Sequence, residues 1–205
     1  MSKHLPRVVR NHLAALRMLL VFTVITGIAY PLAVTGIAQA AFSRQANGSL
    51  VHRDGAVVGS GLLGQNFDLV RKGKATGTPD PRYFQPRFSA GGYDPLASGA
   101  SNLGPNNPDL IASVKQRRAA IAAFDGVRPD DVPADAVTAS GSGLDPDIST
   151  AYAAEQIGRV ARARGLSTAA VRALVSADTH GRVLGFLGER HVNVVRLNRS
   201  LDEAG

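Results

Sequence analysis

The chain has 205 residues, a formal net charge of +7 and no cysteine. The lack of cysteine excludes disulfides, thiolate catalysis and cysteine-ligated metals. Four of the 23 Lys and Arg residues fall in the first 17 positions, and the other 19 nearly balance the 16 Asp and Glu residues. Aromatic residues make up only 5% of the chain and no basic helix carries them, so the composition argues against nucleic acid as a partner.

An apolar run without any charged residue extends from residue 18 to residue 42. A helix rises about 1.5 Å per residue, so roughly 20 residues cross a hydrocarbon core of ~30 Å. Only a helix satisfies its own backbone polar groups in lipid. We therefore predict a transmembrane helix over 18–42 rather than a buried core helix. Pro31 lacks a backbone donor and predicts a kink one turn earlier. Thr26 lies near the freed carbonyl and is predicted to satisfy it in part.

The same run contains a possible signal-peptidase motif, AQA at residues 38–40. A cleaved signal peptide has an apolar core of roughly 7–15 residues, whereas about 20 apolar residues precede this motif. The length favours an uncleaved anchor, and cleavage is the alternative. Thr23, Gly27 and Tyr30 share one face of a regular helix, and a small-xxx-small pair permits close approach, so this face is predicted to pack on a partner helix.

The charges that flank the run predict its orientation. Basic side chains precede it without any acid, and positive flanks stay in the cytoplasm. These flanking residues are Lys3, His4, Arg7, Arg10, His12 and Arg17. The predicted organisation is a cytoplasmic basic stub over 1–17, a transmembrane helix over 18–42 and an extracytoplasmic domain over 43–205, at the bacterial plasma membrane. The last segment is long enough for one domain with its own core.

Short strands and turns are predicted after the span. Asn47-Gly48 and Asp54-Gly55 are strong turn dipeptides between short apolar pieces, which predicts a β-hairpin or meander. Residues 59–64 match G-x-G-x-x-G letter for letter. A dinucleotide site requires a helix that opens at the last glycine, and the glycines that follow Gly64 argue against one.

Residues 76–108 are rich in Gly, Pro, Ser and Asn, which is typical of a linker. They nevertheless include Tyr83, Phe84, Phe88 and Tyr93, four of the eleven aromatic residues in the chain. We therefore predict an ordered, loop-rich surface segment whose aromatic rings pack inward, with a flexible connector as the alternative. The residues proposed for partner contact in this segment are Tyr83, Phe84, Arg87, Ser101 and Asn102.

Three helices are well marked by their ends, which together with the strands predicts an α+β domain. Their N-caps are Asn107, Ser149 and Ser167, and their predicted stops are Gly126, Gly165 and Gly181. The second helix is predicted to expose Arg159, Arg162 and Arg164. Residues 191–197 are rich in β-branched residues and predict a strand paired with the early ones, followed by a frayed end at 201–203.

The loop Ser140–Gly143 alternates hydroxyls with glycines, so its backbone can approach a ligand or partner closely. It does not match G-x-S-x-G, and the histidines are scattered without a pattern for a triad or a metal site. Residues 74–78 resemble the phosphorylation motif of P-type ATPases but lack its aspartate. We identify no catalytic residue and no metal ligand.

Several sequence pieces together resemble the C subunit of the bacterial high-affinity potassium-transporting ATPase, the Kdp complex. They follow one another across nearly the whole chain, and the set is specific although no single piece is. They are GLLGQ at 61–65, YFQPR at 83–87, SGASNLGPNNP at 98–108, VTASGSGLDP at 137–146, RVARAR at 159–164, and VNV to LN at 192–198.

The resemblance implies an accessory, non-pumping subunit. Its implied partners are a channel-like potassium-translocating subunit, a P-type ATP-hydrolysing subunit and a small single-span subunit, besides membrane lipid. In that family the C subunit is described as a catalytic chaperone that raises the ATP affinity of the P-type subunit, which implies ATP in a ternary complex and Ser140–Gly143 as a nucleotide-linked loop. No bound cofactor is predicted for the chain itself. The alternative is a stand-alone, membrane-anchored exported ligand-binding domain or hydrolase.

Overall fold

The computed structural model describes residues 6–204, which form two compact units divided between Ser49 and Leu50. The first unit is helical, whereas the second combines helices with short strands, so the predicted α+β class is confirmed. Lys3 and His4, which the sequence assigns to the basic stub, lie outside the described residues.

A long apolar helix makes up most of the first unit. It consists of α1 (Arg7–Val24), a π-helical turn (Ile25–Ala29) and α2 (Tyr30–Ala41), 35 residues in all. At about 1.5 Å per residue it is longer than the hydrocarbon core of a bilayer is thick. Among residues 6–204 it is the one helix long and apolar enough to cross a membrane, and no residue of its most apolar stretch is buried.

The helix is irregular next to Pro31, where the sequence predicts a kink. The irregularity is the π-helical turn, after which the Tyr30 amide donates five residues back to the Ile25 carbonyl. The prediction that Thr26 satisfies the carbonyl freed by the proline is wrong. The Thr26 hydroxyl donates instead to the Phe22 carbonyl, at 2.6 Å.

The π-helical turn also affects the face predicted to pack on a partner helix. Thr23 precedes the turn, Gly27 lies within it and Tyr30 follows it. Because a π turn takes up more residues than an α turn, the spacing that aligns these residues on a regular helix does not hold across it. All three are exposed, and their packing role remains a prediction.

A short helix, α3 (Ser43–Ala46), follows the long one. Asn47 caps its C-terminus, and the Asn47 side chain donates to the Ser43 carbonyl at 2.7 Å. The amides of Asn47 and Gln39 also exchange hydrogen bonds of 3.1 and 3.2 Å. The Asn47-Gly48 dipeptide therefore ends a helix and does not form the predicted hairpin turn.

Two antiparallel hairpins open the second unit. The first pairs β1 (Leu50–Arg53) with β2 (Ala56–Ser60), and the second pairs β3 (Asp68–Arg71) with β4 (Lys74–Pro79). The first hairpin turns at Asp54-Gly55, both with positive φ, as the sequence predicts. No further strand joins either pair within the described chain.

Three helices of the second unit begin at the predicted caps, and two further helices were not predicted. They are α4 (Pro108–Asp125), α5 (Ala134–Val137), α6 (Thr150–Arg164), α7 (Thr168–Ala177) and α8 (Val194–Ala204), with a 3₁₀ turn at Pro129–Asp131. The side chains of Asn107, Ser149 and Ser167 each accept a hydrogen bond from the first turn of α4, α6 or α7. Gly126 and Gly165 end α4 and α6 as predicted, but α7 ends before Asp178 and not at Gly181.

The C-terminal prediction of a long strand is wrong. Only His191–Asn193 forms a strand, β7, which lies between β5 (Asp147–Ser149) and β6 (Thr179–His180) and does not pair with the early strands. The following residues form α8, because their apolar side chains recur at helical spacing and all face the core. Its buried residues are Val194, Val195, Leu197, Asn198 and Leu201. Leu201 is fully buried, so this end is not frayed.

The core of the second unit lies around α6, with α7, α8 and the three-stranded sheet packed against it. Its largest buried apolar side chains are Phe84, Ile148, Tyr152, Ile157, Val160, Val171, Val192, Leu197 and Leu201. Phe84 comes from the long irregular segment between β4 and α4. This segment therefore contributes to the core. The prediction that its aromatic rings pack inward is confirmed for Phe84 and Tyr93, whereas Tyr83 is half-buried and Phe88 is exposed.

Arg159 on α6 was predicted to be solvated, and this is wrong. Its side chain is 4% exposed, and its Nε donates to the Asp125 carboxylate at 2.5 Å. The same guanidinium donates to the Pro81 and Tyr83 carbonyls at 2.7 and 2.9 Å and to the Gln156 side chain at 2.6 Å. A buried charge is tolerated because a counter-ion and hydrogen bonds compensate for its desolvation.

Candidate partner-binding surface

The serine–glycine loop, residues 140–143, is held by the irregular segment that precedes α4. The Ser89 hydroxyl donates to the Gly143 carbonyl at 2.6 Å. The Gly99 amide donates to the Ser142 carbonyl at 2.8 Å. The serine–glycine loop is thus bonded to the irregular segment, although the two do not form a regular sheet. These bonds fix the position of both segments.

The two hydroxyls of the serine–glycine loop are used within the loop itself. The Ser140 hydroxyl accepts from the Gly143 amide at 2.9 Å, and the Ser142 hydroxyl accepts from the Leu144 amide at 3.1 Å. Such local bonds stabilise a turn. Ser140 is buried, whereas Gly141 and Ser142 are exposed, so the loop presents mainly backbone to solvent.

Two glycines allow this close packing. Gly143 has a φ of +68°, and a Cβ there would lie 2.5 Å from the Gly99 carbonyl oxygen. A Cβ on Gly64 would lie 2.3 Å from the Tyr93 ring and 2.7 Å from the Asp145 carbonyl oxygen. The last glycine of the G-x-G-x-x-G match therefore serves packing, and no helix opens after it.

A recess of about 460 Å³ opens beside the loop. Arg87 lines it and forms an ion pair with Asp145, with 2.9 Å between Nη1 and Oδ2. The Tyr93 hydroxyl donates to the Arg87 carbonyl at 2.7 Å, and burial raises the pKa of Tyr93, so this donor keeps its proton. Leu62 and Leu63 form an exposed apolar rim. An apolar rim around a neutralised ion pair suits a protein segment better than a phosphate group.

The other residues proposed for partner contact lie in different places. Ser101 and Asn102 are exposed. Phe84 is fully buried, so its side chain is part of the core and not of the surface. The Tyr83 hydroxyl donates to the Asp202 carboxylate at 3.1 Å. The structure thus brings Arg87 to the serine–glycine loop but does not bring Tyr83 and Phe84 there.

Two side-chain amides, neither of them predicted from the sequence, hold the backbone at Phe84 and Gln85. Asn198 on α8 accepts from the Phe84 amide and donates to the Phe84 carbonyl, each at 2.9 Å. Gln156 on α6 does the same for Gln85, at 2.6 and 3.1 Å. These amides replace the strand partner that the irregular segment lacks. Both occur at otherwise apolar positions of amphipathic helices, which is the signal that could have revealed them.

Asp202 on α8 joins three elements and was also missed. Its carboxylate accepts from Arg53 on β1, from Arg164 on α6 at 2.6 Å, and from Tyr83. The Arg164 guanidinium also lies 4.7 Å from the centre of the Tyr83 ring. The Arg164 side chain is only 13% exposed, so the prediction that Arg164 lies on the solvated side of α6 is wrong.

Comparison with known proteins decides the family. The sequence profile of the family described as KdpC, the K+-transporting ATPase c chain, matches residues 12–203. The chain is 57% identical over 193 residues to the potassium-transporting ATPase KdpC subunit of Sorangium cellulosum, covering 93% of this chain and 96% of the relative. It is 52% identical over 196 residues to the same subunit of Mycobacterium tuberculosis, covering 94% and 98%. The chain belongs to the KdpC family.

The similarity extends over more than nine tenths of the chain and of these KdpC relatives. The KdpC subunit of Streptomyces avermitilis gives the same result, with 51% identity over 204 residues and coverage of 93% and 92%. The resemblance inferred from the sequence pieces is therefore confirmed. The matched region, 12–203, includes most of the apolar helix and nearly all of the second unit.

This KdpC-family chain also contains one acid in an unusual state. Both carboxylate oxygens of Glu155 on α6 are buried and accept no hydrogen bond from the described residues. Burial raises the pKa of Glu155 to about 8, and the nearby Asp125 carboxylate adds to the effect. Glu155 is therefore largely protonated at neutral pH. The group lies next to the Arg159–Asp125 pair that anchors the irregular segment.

Proposed function

We propose that this chain is an accessory subunit of a high-affinity, ATP-driven potassium uptake complex, which it assembles and stabilises. Family membership and the KdpC relatives, named as potassium-transporting ATPase subunits, support a role in potassium transport. The apolar helix supports attachment to the membrane. The chain itself is proposed to have no hydrolytic chemistry.

The observation that carries this proposal is the fixed but exposed serine–glycine loop. Hydrogen bonds from Ser89 and Gly99 hold it, while Gly141 has no heavy atom within 4 Å of the place where a Cβ would stand. A loop ordered before binding loses little conformational entropy on association. We propose that this loop, the Arg87 recess, Ser101 and Asn102 bind another subunit of the complex.

The proposed placement follows from the basic residues before the apolar helix. Positive flanks stay in the cytoplasm, so the second unit lies outside and caps the outer face of the channel-like subunit. The P-type ATP-hydrolysing subunit and the small single-span subunit are the other proposed partners, with membrane lipid around the helix. Thr23, Gly27 and Tyr30 are the proposed helix-packing residues.

The proposed effect on ATP affinity then needs no direct contact with the nucleotide. An outer domain cannot reach cytoplasmic ATP, so any rise in the ATP affinity of the P-type subunit is a coupling free energy passed through the membrane subunits. The serine–glycine loop is linked to ATP only in this indirect sense. The isolated chain is accordingly expected to bind no ATP.

Co-purification tests the assembly proposal with a matched pair of glycines. Neither Gly141 nor Gly181 has a neighbour at its Cβ position, so G141W and G181W should both fold. Wild type and G181W are expected to bring the multi-span subunits out of potassium-starved membranes, and G141W is expected to lose them. Equal recovery with all three would contradict the loop assignment. A wild-type chain that purifies alone would favour the stand-alone anchored domain instead.

Cysteine labelling tests the placement. The chain has no cysteine, so S142C carries the only thiol, on an exposed residue. A membrane-impermeant maleimide is expected to label this variant in cells whose outer membrane has been permeabilised. Labelling only in inverted vesicles would place the domain in the cytoplasm and contradict the proposal.

A further inference from the structure

A second cavity lies between α4, α6 and the irregular segment. Its volume is about 560 Å³, within the range of roughly 300–1,000 Å³ that is typical of small-molecule sites. Its walls are mainly carbon, from Pro86, Phe88, Ile121 and Phe124. The cavity shares Arg87 and Ser89 with the partner-binding surface, and its other lining residues have no part in the proposed accessory role.

A tyrosine hydroxyl in the cavity wall lacks a partner. Tyr152 on α6 is 3% exposed and lines the cavity, and its hydroxyl forms no hydrogen bond with any group of residues 6–204. The hydroxyl oxygen is not itself enclosed by protein atoms, so it faces the cavity, where a ligand can reach it. Burial raises the pKa of Tyr152, so the hydroxyl keeps its proton and is available as a donor.

A guanidinium without a counter-ion lines the same cavity. Arg117 on α4 stacks on Phe88, with 3.4 Å between its guanidinium carbon and the ring centre, and donates to the Val137 carbonyl at 3.0 Å. Burial lowers the pKa of Arg117, and no described carboxylate offsets that effect. The stacking fixes the guanidinium in place with a charge that nothing neutralises.

The remaining charges around the cavity do not compensate Arg117. Arg87 is paired with Asp145. Asp68, on β3, lines the cavity but is not among the groups that influence the Arg117 guanidinium. The cavity thus combines an apolar interior with one uncompensated cation and one unused hydroxyl donor. An anion with an apolar body complements these three features together.

We propose that this cavity binds a small organic anion with an aromatic or branched apolar body. Arg117 holds the acidic head by charge-assisted hydrogen bonds, Phe88 and Phe124 contact the apolar body, and the Tyr152 hydroxyl donates to a second polar atom of the ligand. Recognition therefore depends on the negative charge as well as on the apolar body.

Fluorine NMR with 4-(trifluoromethyl)benzenesulfonate tests this site on the full chain in lipid nanodiscs, with empty nanodiscs as the blank. Saturable broadening of the fluorine signal is expected only with the protein. The neutral analogue 4-(trifluoromethyl)benzenesulfonamide is expected to bind about tenfold more weakly or worse, because a charge-assisted hydrogen bond is lost.

Variants locate the bound probe. R117Q is expected to weaken binding by about tenfold or more, and I121W, which fills the cavity, is expected to abolish it. R118Q is the matched control, since Arg118 is adjacent on α4 and does not line the cavity. Y152F keeps the ring and removes only the hydroxyl, so it is also expected to weaken binding of the probe. If R117Q lowers the melting temperature, the binding measured with Y152F replaces that with R117Q as the test.

The proposal would be overturned by broadening that does not saturate or that matches empty nanodiscs. Equal binding by wild type and I121W, or equal losses in R117Q and R118Q, would also overturn it. These results are independent of the co-purification experiment, because the probe binds the chain without other subunits.

Discussion

The irregular segment between β4 and α4 and the β3–β4 hairpin before it differ in an instructive way. The hairpin consists of two paired strands, but every residue of β4 is exposed and Val70 on β3 is 67% exposed. The segment has no strand or helix, yet Phe84 is fully buried and Asn198, Gln156 and Arg159 all bond to its backbone. Long-range side-chain bonds, and not regular secondary structure, thus determine which of the two is firmly attached to the core.

The largest expected effect comes from removing the buried cation that holds the segment. R159M leaves Asp125 buried without its partner and frees the Pro81 and Tyr83 carbonyls, so the free energy of unfolding should fall by about 3–5 kcal/mol. Denaturant melts of the purified chain measure it. The control is R162M on the exposed side of α6, which is expected to change stability by less than about 0.5 kcal/mol.

A somewhat smaller effect is expected from the amide that brackets Phe84. N198A removes both partners of a buried backbone amide and carbonyl, which should cost about 2–3 kcal/mol. Limited proteolysis should then cut within residues 80–107. On the hairpin, V70S should change stability by no more than about 0.5 kcal/mol. A larger loss in V70S than in N198A would reverse the comparison between the two regions.

The tight packing of Gly64 against Tyr93 predicts that one added methyl group lowers the stability of the domain. G64A places a Cβ against the Tyr93 ring and the Asp145 carbonyl, so stability should fall by about 1–3 kcal/mol. Gly104 has no neighbour within 4 Å of its Cβ position, so G104A should be nearly neutral. Thermal melts of the two variants compare a glycine packed against the segment with an unpacked glycine within it. Matching melting temperatures would show that the loop shifts freely to admit the methyl group.

The smallest expected effect is a pH dependence from Glu155. Its pKa is raised from 4.5 to about 8 on folding, so its contribution to stability is full below about pH 4.5 and is lost as the pH rises towards 8. E155Q stays neutral, and it should match wild type near pH 5 and exceed it by on the order of 1 kcal/mol at pH 8.5, after allowance for solvent screening. E189Q, on an exposed loop, should show no such trend. Parallel pH profiles for E155Q and wild type would mean that Glu155 is solvated.

The parts of the fold that the sequence predicted are those set by neighbouring residues. Asn107 and Ser149 accept bonds from the next turn, and Gly126 and Gly165 close helices at fixed offsets, so local chemistry decides them. Asp54-Gly55 forms its hairpin turn for the same reason. The burial of Phe84 followed from the hydrophobicity of its ring.

The errors concern residues whose state depends on distant partners. Arg159 matches a solvated arginine in its local pattern, and only Asp125, 34 residues earlier, makes it a buried one. Val194 and Val195 favour strands by propensity, but burial of one face of α8 against the core overrides that preference. The bond between Ser89 and Gly143 spans 54 residues, so no local motif predicted that the candidate surface would be held from that side.

The bond between Asp202 and Arg53 spans 149 residues, so it forms only after nearly the whole chain has been synthesised. The ribosome synthesises β1 long before it synthesises α8, which carries Asp202. Contacts between such distant positions form slowly, since a large loop has to close first. Until α8 has been translated and has packed, Arg53 lacks its bond to Asp202 and Phe84 lacks its bonds to Asn198, so we expect this part of the domain to be completed last.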